Sequence, residues 1–164
     1  MTPALAEEGD ERYNIKIHPG DILSIELATR FDIVTAWDVL EHCSDTRIFL
    51  ERAASLLDEN GLLLIRVPDF DFIRKDLPKK LLDRYIKYIY PLGLHEHIFH
   101  FSLESLKIFL ESAGFSIIDQ WHSEINEYTP KNVSDYDELV NEMSRFGLAC
   151  EVNLLCRHTT NNPQ

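Results

Sequence analysis

The segment Trp37-Asp38-Val39-Leu40-Glu41-His42 sets two carboxylates and an imidazole at positions i, i+3 and i+4. On a turn that runs into a helix those positions share one face, so the three side chains can meet a divalent cation. The alternative is structural, with Glu41 and His42 capping and pinning a helix start. His42 also suits proton transfer, since imidazole titrates near neutrality and can take the proton from an acceptor oxygen or nitrogen. A second concentration of imidazole lies in His95-Glu96-His97-Ile98-Phe99-His100. Its spacings of two and three match neither a helical zinc pair nor a zinc finger. Asp21, between Gly20 and Ile22, either presents its carboxylate to a ligand edge or simply closes a turn. Cys43 follows His42 directly, and a single thiol there reads best as a small buried hydrophobe.

The surrounding pattern says what must position these groups. Thr2 and Pro3 open a helix that runs to Tyr13, weakened by Gly9. Ile15-Lys16-Ile17-His18 reads as a short strand before the turn at Pro19-Gly20-Asp21. FDIVTAW (31–37) is β-rich and apolar on both faces, as in a buried parallel strand. Ser44 or Asp45 caps a helix with an apolar stripe of Ile48, Phe49, Ala53, Leu56 and Leu57, which Asp58-Glu59-Asn60-Gly61 ends. LLLIRV (62–67) is a second buried strand, stopped by Pro68. Strand, helix and strand make one βαβ unit, so the two strands run parallel. An amphipathic helix is expected around Lys79–Ile89, another from the Ser102 cap through Ala113 to Gly114, and a strand over Phe115–His122. A helix from Ser134 to Phe146 and a strand over Leu148–Arg157 complete one domain (1–158), with a frayed tail (159–164). In an open parallel sheet ligands bind at the carboxyl ends of the strands. That rule brings the loops after FDIVTAW, after LLLIRV and at Gly20-Asp21-Ile22 to one rim.

Composition narrows the chemistry. The 164 residues carry a net charge of −12, which argues against a nucleic-acid backbone as partner. No apolar run approaches the roughly 20 residues that span a bilayer, and the start has no basic-then-apolar signal. Three cysteines without a CxxC pair fit a reducing, cytoplasmic setting. Six glycines, no two closer than eleven positions, leave no G-x-G or G-x-x-x-x-G-K phosphate cradle.

The run GDI–FDIVTAWDVLEH–LLDENGLLLIRVPD–HEHIFHFSLESLKIFLESAGFSII resembles class I S-adenosylmethionine-dependent methyltransferases, above all the branch of ubiquinone-biosynthesis O-methyltransferases. The resemblance is strong from Gly20 to Ile118. It implies an α/β fold, a Rossmann-like methyltransferase sheet of strand order 3-2-1-4-5-7-6. IKIH, FDIVTAW, LLLIRV, the Phe115 strand and the Leu148 strand then match strands 3, 4, 5, 6 and 7, the last antiparallel. It further implies that Asp21 bonds the adenine amino group, that Ile22 packs on the adenine ring, and that Trp37 lies along the cofactor or else packs in the core. Asp38, Glu41 and His42 occupy the positions of a metal site found in quinone-pathway relatives. The His95–His100 loop covers the acceptor side, where His97 either meets the acceptor or serves packing.

The resemblance also implies what is missing. Family strands 1 and 2, with the glycine loop and the acidic ribose ligand, have no counterpart after Met1. The expectation is a sheet truncated at the N-terminus, with an internal methionine read as the start and an apolar edge open to self-association. The expected function is S-adenosylmethionine-dependent methyl transfer to a small-molecule acceptor, weak or absent in this chain alone, with His42 and His97 catalytic. The alternative is a non-catalytic methyltransferase-like interaction module.

Overall fold

The computed structural model describes residues 3–70, 79–80, 83, 97–123 and 151–159. Helix α1 spans Pro3–Tyr13 and ends at Asn14, whose φ of +52° is a left-handed turn that asparagine tolerates. Gly9, a poor helix former, has a packing role here. A Cβ at this position would collide with the Ile17 side chain, so its absence lets the following segment lie against α1. Ile15–His18 is irregular and not the expected strand. Its alternation of isoleucines is real, but backbone becomes a strand only where a neighbour takes its N–H and C=O groups. No described segment does so, and Ile15 stays 57% exposed.

The sheet contains β1 (Phe31–Trp37), β2 (Leu57–Pro68), β3 (Phe115–Ser123) and β4 (Glu151–His158). Its order is β1-β2-β4-β3. β1 and β2 run parallel, and β4 lies antiparallel to both β2 and β3. This is the expected 4-5-7-6 half of the Rossmann-like sheet, including the one reversed strand. FDIVTAW has the composition of a buried strand, but among the described strands β1 is the open apolar edge also expected above, and only Ala36 in it is buried. Apolar composition marked it as central, yet no described strand pairs with its second edge.

Helix α2 (Thr46–Leu56) joins β1 to β2, and Asp45 caps it by accepting the Ile48 N–H. Phe49, Leu50, Ala53 and Leu56 recur at helical spacing and are buried. Asp58–Gly61 does not end this helix; it lies within β2. The register with β1 slips there, Phe31 facing Leu57 and Ile33 facing Leu62, so the four residues form a bulge. Ser102 and Ser105 cap α3 (Leu103–Ser112) reciprocally, and Gly114, at φ +84°, ends it. Leu63, Ile65 and Val67 of β2 and Val152, Leu154 and Cys156 of β4 form one core with α2 and α3. Of the helix expected near residues 79–89, only Lys79, Lys80 and Asp83 are described, helical and exposed. The helix expected from Ser134 lies outside the described residues, as does most of the tail; Thr159 is tied to the Gly114 carbonyl.

One local prediction follows from the cap. Asp45→Ala leaves the Ile48 N–H without its partner and is expected to cost about 1 kcal/mol. Urea unfolding measures it, and an unchanged midpoint would show that water replaces the carboxylate.

Candidate functional site

Because β1 and β2 are parallel, their carboxyl ends share one rim. There Asp38, at φ +53°, turns the chain out of β1 while its N–H still donates to the Arg66 carbonyl over 3.0 Å. A 3-10 turn at Leu40–His42 follows directly. This geometry separates the carboxylates that sequence spacing had put on one face. Asp38 turns to Arg66, 2.5 Å from its guanidinium. Arg66 also approaches Glu151 at 3.5 Å and lies over the Trp37 ring at 4.9 Å.

Glu41 points the other way, into the protein, and is 1% exposed. Neither of its carboxylate oxygens has a hydrogen-bond partner. Burial pushes its carboxyl up to about 7, and the nearby Asp38 and Glu151 carboxylates act in the same direction, against its own backbone and His42. His42 Nε2 lies 3.9 Å from Glu41 Oε1, and its side chain is 38% exposed. His97 meets the His42 ring edge-on at 4.7 Å. Backbone hydrogen bonds explain its arrival: the Ile98 and Phe99 N–H groups both donate to the Glu41 carbonyl. Glu41, His42 and His97 each offer a ligand atom within 4.8 Å of the others, the sole such grouping among the described residues.

The rim continues past this cluster. His97 is 6.0 Å from His100, which stacks on Phe70 at 4.4 Å. Asp21 accepts the Leu23 N–H through its own side chain, so it does close a turn, and it remains exposed. Ile22 beside it packs on the core. Arg52 of α2 holds this loop by donating to the Ile22 and Ile25 carbonyls. Trp37 is 52% exposed at the end of β1, outside the core. Cys43 is half-buried and donates to the Val39 carbonyl. Burial raises its thiol, with Glu41 and then Asp21 adding to the effect, which disfavours the thiolate. His95 lies outside the described residues.

The Methyltransferase domain family matches residues 5–120 of this sequence. The chain belongs to that family.

Among curated relatives, (S)-coclaurine N-methyltransferase of Papaver somniferum is 23% identical over 80% of this chain and 39% of its own length. The ubiquinone biosynthesis O-methyltransferase of Rhodopseudomonas palustris strain HaA2 is 27% identical over 59% of this chain and 42% of its own. The chain thus spans about two-fifths of the curated relatives it matches. A SAM-dependent methyltransferase from Thermotoga maritima has the same fold, with a TM-score of 0.64 at 18% identity, over 94% of this chain and 69% of that one.

S-adenosylmethionine is the cofactor of this family of methyltransferase domains. Of the residues expected at its adenine end, Asp21 is an exposed carboxylate, Ile22 is half-buried against the core, and Trp37 is an exposed ring at the carboxyl end of β1. No described residue forms a glycine-rich turn for the methionine end. The donor set of Glu41, His42 and His97 fits a divalent cation, because two buried carboxylate oxygens without partners are an anomaly that a cation resolves.

Sequence reasoning placed His97 on the acceptor side but did not join it to Glu41 and His42. No spacing links residues 55 positions apart; the backbone bonds to Glu41 do. Arg66 was missed altogether, although an arginine inside LLLIRV was itself a signal. A charge in a buried strand needs partners.

Proposed function

We propose that this methyltransferase domain transfers a methyl group from S-adenosylmethionine to a small-molecule acceptor in a cytoplasmic setting. The reading rests on one observation, the Glu41–His42–His97 cluster at the carboxyl end of β1, where a Rossmann-like sheet binds its ligands. When bound, S-adenosylmethionine supplies an electrophilic methyl carbon. Asp21 would take the adenine amino group, with Ile22 and Trp37 against the ring. Methyl transfer needs approach and orientation above all. His42 is exposed enough to meet an acceptor and accepts its proton. Glu41, buried beside it, favours the imidazolium that forms once its own carboxyl is ionised, and the edge of His97 packs on the imidazole. In a metal-dependent variant Glu41, His42 and His97 would hold a divalent cation that acidifies a coordinated acceptor oxygen. One oxygen and two nitrogens suit zinc or a late transition metal better than magnesium.

The test is transfer of labelled methyl from S-adenosylmethionine to a panel of phenols and amines. His42→Ala is expected to lower the rate about a hundredfold, the scale of a lost general base. Cys43→Ala is expected to change it less than threefold. The reverse ranking would remove His42 from the mechanism, and no transfer to any acceptor would remove the activity.

A second reading has its own support. β1 presents an unpaired edge among the described residues, with Ile33 58% and Trp37 52% exposed, and such edges recruit other chains. As a non-catalytic module the domain would associate through this strand. Sedimentation of the purified chain should show its mass rising with concentration, and Ile33→Lys should suppress the rise. A monomer at all concentrations, unfolding cooperatively, would count against association.

A further inference from the structure

The row of rings on the rim does not stop at Phe70. The loop after β2 and the segment after His97 run side by side: Asp69 bridges Phe101, and the Phe70 N–H donates to the Phe101 carbonyl over 2.8 Å. This pairing buries Asp69 to 6% exposure. Its carboxylate faces His122 at the end of β3, with Oδ2 3.2 Å from Nε2. His122 is itself exposed, 40% at its side chain. Four strands separated by about 4.8 Å put the ends of β1 and β3 about 14 Å apart. Ring contacts link His42 to His97, His97 to His100 and His100 to Phe70, and Asp69, next to Phe70 in the chain, reaches His122.

A carboxylate on one ring nitrogen fixes the tautomer. An ionised Asp69 can only accept here, which requires the proton on Nε2 and, in the neutral ring, leaves Nδ1 as a hydrogen-bond acceptor. Among the described residues Nδ1 has no partner of its own. We propose that Asp69 and His122 form a second binding station for the methyl acceptor. A flat acceptor lies along the row of rings, and an O–H or N–H remote from the methylated atom donates to Nδ1 of His122. The inference rests on the acceptor-side reading of this rim and specifies the acceptor class: an extended, flat molecule with a hydrogen-bond donor at its far end. Asp69 is a positioning residue, acting through the imidazole.

Two probes that differ only in the donor test this, 2-naphthol and its methyl ether 2-methoxynaphthalene, added to the full chain at pH 8. Long-range proton–nitrogen spectra should show His122 protonated on Nε2, and 2-naphthol should move the Nδ1 resonance. In titrations 2-naphthol should bind about three- to tenfold more tightly than the ether, the worth of one hydrogen bond. His122→Ala, at an exposed site, should abolish that preference. Asp69→Asn should redistribute the tautomers and reduce it. Equal affinities in the unaltered chain, or a preference that survives in His122→Ala, would overturn the proposal. Neither S-adenosylmethionine nor turnover enters the measurement. A lack of methyl transfer therefore leaves the result readable, and a failure here leaves the assignment of His42 standing.

Discussion

Arg66→Met is expected to lower the unfolding free energy by about 3–5 kcal/mol, the scale for removing one partner of a buried ion pair. The guanidinium is 13% exposed, 2.5 Å from Asp38 and 3.5 Å from Glu151. Methionine fills much of the same volume over Trp37 but removes the guanidinium that faces both carboxylates, that of Glu151 only 10% exposed. Urea denaturation at neutral pH measures the loss. Adding Glu151→Gln to the variant should recover part of it, because one of the two carboxylates that faced the guanidinium is then neutral. A loss under about 1 kcal/mol would show that water already neutralises Asp38 and Glu151.

The second large effect concerns pH. In the unfolded chain the Glu41 carboxyl titrates at its ordinary 4.5, and in the folded protein at about 7. Between these values the native state holds a proton that the unfolded state has released, so stability falls as pH rises. The contribution is full below pH 4.5, declines through about 7 and is flat above it. The difference amounts to roughly 3 kcal/mol for a shift of this size. Metal-free protein should therefore lose about that much between pH 4.5 and 7.5 relative to Glu41→Gln, whose amide does not titrate. Parallel curves for the two proteins would show that the carboxylate is solvated. Zinc should reverse the trend in the unaltered chain, because coordination favours the ionised carboxylate, and should leave Glu41→Gln unaffected.

The opening helix, the Asp45 cap, the Ser102 cap and the Gly114 stop were legible in the sequence because each is a local match between a side chain and backbone a few residues away. The strand order was legible for a different reason: the motif from FDIVTAW to AGF resembles a family whose sheet is fixed. The IKIH reading failed where a neighbour decides the outcome: it alternates as a strand would but has no ladder partner among the described residues. FDIVTAW has a core strand's composition, and only the family's missing neighbour pointed to its place at an edge. Periodicity reports which face is apolar. It does not report what stands beside it.

The site divides in the same way. Sequence alone determined that Asp38, Glu41 and His42 lie in one loop after a strand, and that imidazoles crowd residues 95–100. Only the tertiary structure decided their alliances. Arg66, brought level with Trp37 by the β1–β2 register, draws Asp38 away from Glu41. The Glu41 carbonyl captures the N–H groups of Ile98 and Phe99 and so delivers His97 to His42. Asp69 and His122, 53 residues apart, meet because β2 and β3 end at the same rim. Charge pairing and burial act over a few ångströms. Which groups come that close is set by strand register and loop docking, quantities that no spacing along the chain encodes.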